Sequence, residues 1–318
     1  MDWQKGRRSD NVEDRRDSGG SQPRLSTNMG QQRLMGLGKS KPAMLVMFIF
    51  VLFTAFTQKD PSVVIQFLFS LLNGGGQSML LEPADSNPQF NQSTKSRRAD
   101  EASDFIRVMM ASNEDVWQEQ FQKRNIPFRP TKLVLFSDRT KSGCGMASSQ
   151  TGPFYCPLDE KIYIDLTFIR QMQQLGASQN SNVAGNFAMG YVIAHEYGHH
   201  IHNILGILPK AQKAMHYAGN KAESNALSVR LELQADCFAG VWAANIPRYN
   251  IALDEQDIAQ GIQAAKAVGD DHILQSYGQK PYQENFTHGS SQQRMQWLKA
   301  GIKTGDMSTC DTFKDITL

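Results

Sequence analysis

The chain has 318 residues, enough for one large domain or two ordinary ones. Hydrophobic residues make up 40% and charged residues 20%, a composition that excludes both a disordered chain and a membrane protein with many spans. Because 33 Lys and Arg residues stand against 31 Asp and Glu residues, for a net charge of +2, we expect no nucleic-acid partner.

A basic N-terminal segment precedes a run of apolar residues that carries no charge. Residues 1–41 contain nine basic and five acidic side chains, and the uncharged run covers residues 43–56. These fourteen residues span about 21 Å as a helix, which is less than the ~30 Å hydrocarbon core of a bilayer. Flanking lysines and a second apolar run at 63–72 can complete a span. The sequence therefore predicts a transmembrane anchor and a flanking apolar segment within residues 42–72.

The alternatives to this anchor are a cleaved signal peptide and a buried core segment. A signal peptide has a short basic region and small residues at its cleavage site, whereas about forty residues precede this run and no such site follows it. The excess of basic residues before the run predicts that residues 1–41 are a cytoplasmic tail. The rest of the chain would then lie outside the cytoplasm, held to the inner-membrane bilayer by one helix.

The remainder of the chain divides into a linker and a folded domain. Residues 73–98 are rich in Asn, Gln, Ser and Pro and predict a flexible linker, and residues 99–318 predict one domain. The domain begins with two helices, the second capped by Asn113, and continues with strands at 131–136 and 161–165.

Four further helices are expected after these strands, so the predicted fold class is α+β with helices dominating. The third of them is capped by Asp254, and the last has a capping-box pattern at Ser290 and Gln293 and ends at Gly301. The expected bounds of the four helices are 183–205, 223–246, 254–268 and 290–301.

Four cysteines, an even number, fit two disulfides in an oxidising compartment. Cys144 and Cys156 lie in a loop rich in Gly, Ser and Pro, where a buried free thiol would be out of place. We expect these two to pair with each other and Cys237 to pair with Cys310. The alternative is four unpaired thiols in the core.

The helix expected at 183–205 contains the sequence His195-Glu196-Tyr-Gly-His199. Histidines four residues apart project from one face of a helix, so both imidazoles can bind a single zinc ion. Glu196 then lies beside the metal, where its carboxylate can take a proton from zinc-bound water. The alternative is a pair of histidines that bind no metal.

A catalytic zinc ion requires a third protein ligand. His200 and His202 point to other sides of the helix, and we expect them to be ordinary neighbours. Glu232 and Asp236 are four residues apart in the next, largely apolar helix, where burying two carboxylates without a cation is costly. We therefore expect one zinc ion per chain, held by the two motif histidines and Glu232, with Asp236 fixing the tautomer of a zinc histidine. The alternative is an exposed pair of carboxylates.

His288 lies just before the last predicted helix, in a loop that can present its side chain to a cleft. Peptide hydrolysis builds negative charge on the carbonyl oxygen, and a donor opposite the metal lowers the barrier. We expect His288 to be this donor and Arg294 to support the loop or a carboxylate. The alternative for His288 is a packing role.

Taken together, these motifs resemble those of the bacterial membrane-anchored neutral zinc metallopeptidase family. The resemblance extends over almost the whole chain and implies a zincin fold, a zinc cofactor and a peptidase activity. The segments Glu232–Asp236 and Thr287–Arg294 also resemble those of the integral-membrane heat-shock and prenyl-protein proteases, a gluzincin group, which implies a transition-state role for His288. The segments that carry the resemblance are Ser9–Arg16, Gly152–Pro157, His195–His199, Glu232–Asp236, Thr287–Arg294 and Cys310–Phe313.

The sequence thus predicts a membrane-anchored zinc metalloendopeptidase that acts on a peptide or protein substrate, with Glu196 as general base. Two alternatives stay open. One is a zinc-stabilised pseudoprotease that serves as a chaperone-like adaptor at the membrane, although the intact Glu196 argues against it. The other is a zinc hydrolase of non-peptide amides, such as cell-wall material.

Overall fold

The fold is α+β with helices dominating, as predicted. The predicted anchor at 42–72 lies outside the residues that the structure describes, and none of the described helices is long and apolar enough to cross a membrane. The structure, a computed structural model, describes residues 1–16, 88–149, 151–165, 168 and 185–316.

The described strands form a four-stranded sheet and a separate two-stranded hairpin. The sheet has the order β1-β2-β6-β5, in which β1, β2 and β6 are parallel and β5 is an antiparallel edge strand. Strands β3 and β4 form the hairpin. The strands are β1 (Val12–Asp14), β2 (Lys132–Phe136), β3 (Arg139–Ser142), β4 (Gly145–Ser148), β5 (Phe154–Cys156) and β6 (Lys161–Asp165).

Long helices make up most of the later part of the described chain and pack against one another. The helices are α1 (Pro88–Gln122), α2 (Gly185–Ile204), α3 (Ile207–His216), α4 (Lys221–Asn245), α5 (Glu255–Ala267), α6 (Asp270–Ser276) and α7 (Ser291–Thr304). Short 3-10 helices cover Ile246–Tyr249, Gln283–Asn285 and Met307–Cys310. The two strands predicted at 131–136 and 161–165 are confirmed as β2 and β6.

The N-terminal segment is part of this domain. Strand β1 pairs with β2, with Val12 opposite Leu133, and the ring of Trp3 packs edge-on against Phe105 at a centroid distance of 5.3 Å. Trp3 and Val12 are both buried. The expectation of a separate tail over residues 1–41 is therefore wrong for residues 1–16, because their backbone and side chains complete the sheet and the core.

Helix α1 is one continuous helix rather than the two that were predicted. The side chain of Asn113 does not cap a helix, because its amide donates to the backbone oxygen of Met109 one turn earlier, at 2.9 Å. The helix begins at Pro88, so it also takes up residues 88–98 of the predicted linker.

Helices α4 and α7 cross with their backbones in direct contact. A Cβ atom on Gly240 would lie 2.2 Å from the backbone oxygen of Leu298, and one on Gly301 would lie 2.0 Å from that of Cys237. Gly301 was predicted to end the last helix, but it is an interior packing position, and the helix continues to Thr304. Glycine at both positions therefore sets how closely α7 approaches α4.

We expect the variant Gly301→Ala to unfold at a clearly lower urea concentration. Overpacking costs about 1–3 kcal/mol, and the upper end applies because the added methyl group meets backbone atoms that cannot move aside. The gain in helix propensity, about 1 kcal/mol at most, offsets only part of this cost. Exposed Lys299→Ala on the same helix is the control, with an expected change within about 0.5 kcal/mol. Equal urea midpoints for the two variants would contradict this packing.

Both predicted disulfides are present. Cys144, between β3 and β4, pairs with Cys156 in β5 and so ties the hairpin to the edge of the sheet. Cys237 in α4 pairs with Cys310 in the last 3-10 helix. The second bond fixes the C-terminal part of the described chain to α4, one residue after Asp236.

Candidate metal centre

The site forms where helices α2 and α4 cross. Gly198 in α2 faces Ala235 in α4, and a Cβ atom on Gly198 would lie only 3.1 Å from the Ala235 Cα atom. The missing side chain lets the two helices approach closely, which brings the histidine face of α2 against the acidic residues of α4.

His195, His199 and Glu232 come together as a group that can hold one metal ion. Each offers one ligand atom, and these atoms all lie within 4.8 Å of one another. One carboxylate oxygen of Glu232 lies 3.1 Å from Nε2 of His195, and the other lies 3.5 Å from Nε2 of His199. Two imidazole nitrogens and one carboxylate are the protein ligands of many catalytic zinc sites, which keep the fourth position for water or substrate. The donor set therefore fits zinc.

Asp236 binds the other nitrogen of His195. Its Oδ1 atom accepts hydrogen bonds from Nδ1 of His195 at 2.9 Å and from the hydroxyl of Tyr191 at 2.6 Å. The guanidinium of Arg294 donates Nε to Oδ2 at 2.7 Å and Nη2 to Oδ1 at 2.9 Å. Because an ionised carboxylate only accepts, the Nδ1 atom of His195 carries the proton and Nε2 is free for a metal.

Burial and charge act in opposite directions on Asp236. Its side chain is completely buried, which raises the pKa, but the positive charge of Arg294 and the hydrogen bonds from His195 and Arg294 outweigh burial and lower the pKa to about 2. The carboxylate therefore stays ionised, and its charge is balanced locally by Arg294.

The sequence did not identify Tyr191 as a site residue, and it did not specify which carboxylate Arg294 supports. Tyr191 lies one turn before His195 on the same face of α2, so its spacing was a usable signal. The carboxylate that Arg294 supports is that of Asp236, a pairing that depends on the contact between α4 and α7.

We expect Asp236→Asn to weaken zinc affinity by about 10- to 100-fold, because the amide is a poorer acceptor for the His195 ring proton. The exposed variant Asp315→Asn is a matched control that should bind zinc as the parent does. Competition with a chromogenic chelator measures both affinities. If Asp236→Asn binds zinc with the affinity of the parent, this hydrogen bond does not affect how tightly His195 binds zinc.

The carboxylate of Glu196 lies beside strand β5. It accepts a hydrogen bond from the backbone N–H of Tyr155, and burial raises the pKa of Glu196 to about 7. A general base is most effective when its pKa lies near the working pH. At this position, next to the metal-binding residues, the carboxylate can act as a proton acceptor.

His288 is held by Asp270, a residue that the sequence analysis did not single out. One oxygen of Asp270 accepts the backbone N–H groups of Thr287, His288 and Gly289 at 2.8, 2.7 and 3.1 Å. The other oxygen lies 3.1 Å from Nδ1 of His288. His288 is close enough to Glu232 for a charge on its ring to act on that carboxylate. The loop thus fixes the His288 ring through its backbone N–H group and its Nδ1 atom.

The neighbouring histidines are not part of the metal group, as expected. His200 bonds through Nδ1 to the hydroxyl of Tyr155 at 3.1 Å and through Nε2 to the backbone oxygen of Arg129 at 2.9 Å. His202 is completely buried and packs against Phe238 at a ring distance of 5.2 Å. Both therefore serve the packing of α2.

Comparison with known proteins assigns the chain to a family. Residues 1–313 match the family described as “Putative neutral zinc metallopeptidase”, and the chain belongs to this family. The uncharacterized protein YpfJ of Escherichia coli strain K12 is 41% identical over 316 residues, which cover 98% of this chain and 99% of the relative. The uncharacterized protein Rv2575 of Mycobacterium tuberculosis strain H37Rv is 44% identical over 191 residues, which cover 57% of this chain and 61% of the relative. No solved structure matches the chain.

Proposed function

We propose that the protein is a zinc-dependent endopeptidase that hydrolyses peptide bonds in peptide or protein substrates. The observation that carries this proposal is the group of His195, His199 and Glu232, with the buried carboxylate of Glu196 next to it on the same helix. Family membership supports zinc as the metal and peptidase as the class. When bound, zinc supplies a Lewis acid that polarises the substrate carbonyl and lowers the pKa of a coordinated water.

Glu196 is the proton carrier in this mechanism. Its buried carboxylate is able to take a proton from the attacking water and then deliver it to the leaving amide nitrogen. The hydrogen bond from the backbone N–H of Tyr155 fixes the orientation of the carboxylate during both transfers.

His288 is the donor to the carbonyl oxygen as that oxygen becomes negative. Nδ1 of the ring lies 3.1 Å from a carboxylate oxygen of Asp270 and 3.0 Å from the hydroxyl of Thr287, so Nε2 is the nitrogen that would donate to the substrate oxygen. The same carboxylate holds three backbone N–H groups of the loop, so the donor is already oriented before the substrate arrives.

The edge of the sheet offers a way to align a peptide substrate. Strand β5 pairs only with β6 among the described strands, and its residue Tyr155 reaches the Glu196 carboxylate through its backbone. An extended peptide that adds to this edge would place its backbone alongside the general base. We propose that substrates bind in this extended form.

The proposal is tested by incubating the full zinc-loaded chain with an unfolded protein and, separately, with cell-wall peptides. We expect cleavage of the unfolded protein, loss of cleavage after zinc is removed by a chelator, and recovery when zinc is restored. Hydrolysis of cell-wall amides alone would favour the non-peptide hydrolase. Rescue of a deletion strain by a protein that cleaves neither substrate would favour the adaptor.

We expect His288→Ala to lower kcat by about 10²- to 10³-fold with zinc content unchanged, because one donor to the developing oxyanion is lost. Asp270→Asn should also lower kcat, because it weakens the hydrogen bonds that hold the loop of His288. Exposed His216→Ala is the control and should match the parent. A His288→Ala enzyme with parental kcat would remove this residue from the reaction.

A further inference from the structure

The N-terminal segment, residues 1–16, is bound to the domain along its length. The backbone N–H of Ser9 donates to the oxygen of Arg107 at 3.0 Å, and that of Arg15 donates to the oxygen of Leu135 at 2.8 Å. Between these contacts, β1 pairs in parallel with β2 over three residues. The segment is therefore a component of the sheet that supports the metal centre.

Charged groups of the domain depend on this segment. Glu114, a buried carboxylate in α1, accepts hydrogen bonds from Ser9, from the amide of Asn11 and from Arg7. Arg8 forms an ion pair with Asp104 of the same helix at 2.6 Å. Without the segment, Glu114 would lose three partners that offset the cost of its burial. The family match, which begins at residue 1, is consistent with a segment that belongs to the domain.

This packing restricts how the chain can meet a membrane. Strands that exchange backbone hydrogen bonds cannot lie on opposite sides of a bilayer, so residues 1–16 share one side with the part of the domain that the structure describes from residue 101 onward. The chain between them starts and ends on that side, and it crosses a membrane an even number of times or not at all. A single crossing by the apolar run at 43–56 does not meet this condition.

We propose that the N-terminal segment lies on the same side of the membrane as the metal centre. The two disulfides favour a location outside the cytoplasm for both parts.

Four of the basic residues that predicted a cytoplasmic tail form ion pairs in the folded domain. Of the five basic residues in the described segment 1–16, four form ion pairs within the folded domain. Arg7 and Arg8 pair with acidic residues of α1, and Arg15 and Arg16 pair with acidic residues of β1. These four basic residues serve the fold, so they are not evidence for a cytoplasmic location by the positive-inside rule.

Cysteine labelling of the full chain in intact cells tests the proposal. Lys5→Cys reports on the N-terminal segment and Lys213→Cys on the domain, since both residues are exposed. We expect a small membrane-impermeant maleimide to label both variants before lysis, while a cytoplasmic thiol protein in the same cells stays unlabelled. If both cysteines are labelled only after lysis, both residues lie on the cytoplasmic side, and the two parts still share one side of the membrane. Labelling of Lys213→Cys with protection of Lys5→Cys would overturn the proposal, whether or not the protein is a peptidase.

A second variant tests the packing itself. Arg8→Cys combined with Asp104→Cys places two thiols at the positions of the ion pair, which a short bis-maleimide should join by an intramolecular covalent bond in the full chain, detected by a mobility shift. Each single variant is the control and should show no such shift. Absence of the bond in a double variant that still binds zinc would overturn the packing on which the topology rests.

Discussion

Replacing Glu196 with glutamine is expected to lower the rate of peptide hydrolysis by about 10²- to 10⁴-fold while zinc stays bound. Glutamine keeps the shape of the side chain, and its amide oxygen can still accept the backbone N–H of Tyr155. It cannot take a proton from water, and this is the role that the mechanism assigns to Glu196. The measurements are kcat on an unfolded protein substrate and the zinc content of the same samples.

The matched control is Glu284→Gln, the same change at an exposed position outside the metal group. It should leave both kcat and zinc content at parental values. If Glu196→Gln cleaves as fast as the parent, water activation by this residue is wrong. If it loses zinc as well as activity, Glu196 is required for metal binding, and the loss of activity does not measure its role in proton transfer.

The core of the site could be predicted from the sequence because its signals are local. Two histidines separated by four residues must share a helix face, and Glu196 follows from its position between them. Glu232 and Asp236 were identified from the cost of burying carboxylates in an apolar helix, a cost that depends on chemistry rather than on the fold. The structure brings all five side chains together.

The supporting residues were harder to find because tertiary contacts bring their partners together. Asp270 has the sequence signature of an ordinary acidic residue in the first turn of a helix, yet it binds His288 eighteen positions away. Arg294 reaches Asp236 only because Gly240 and Gly301 allow α7 to lie directly on α4. A contact of this kind leaves no periodic pattern in the sequence.

The N-terminal strand shows how a correct local observation led to an incorrect domain boundary. Residues 12–14 are Val-Glu-Asp, too short and too polar to suggest a strand, and β1 lies at the sheet edge where charged side chains are tolerated. Its partners follow more than 100 residues later in the chain. The basic residues nearby were therefore counted as a property of a tail, although Arg7 and Arg8 bind acidic residues of α1.

Removing the carboxylate ligand by Glu232→Ala should weaken zinc affinity by more than about 100-fold. Loss of a group that only orients a ligand costs about 10- to 100-fold, and loss of one of three protein ligands should exceed that range. The two histidines would remain on α2, so weak binding is expected to persist at high zinc concentration. Hydrolysis should fall with zinc content and recover only in part when zinc is added in excess.

Thermal unfolding with and without zinc separates this effect from a general loss of structure. A metal that binds only the folded state stabilises it by about 2.7 kcal/mol when present at 100 times its Kd, so the parent should gain a clearly higher Tm. At the same zinc concentration Glu232→Ala should gain almost nothing, while exposed Glu101→Ala should gain as much as the parent. Equal zinc-dependent gains in all three proteins would exclude Glu232 as a ligand, because a residue that binds the ion cannot be removed without reducing the stabilisation that the ion provides.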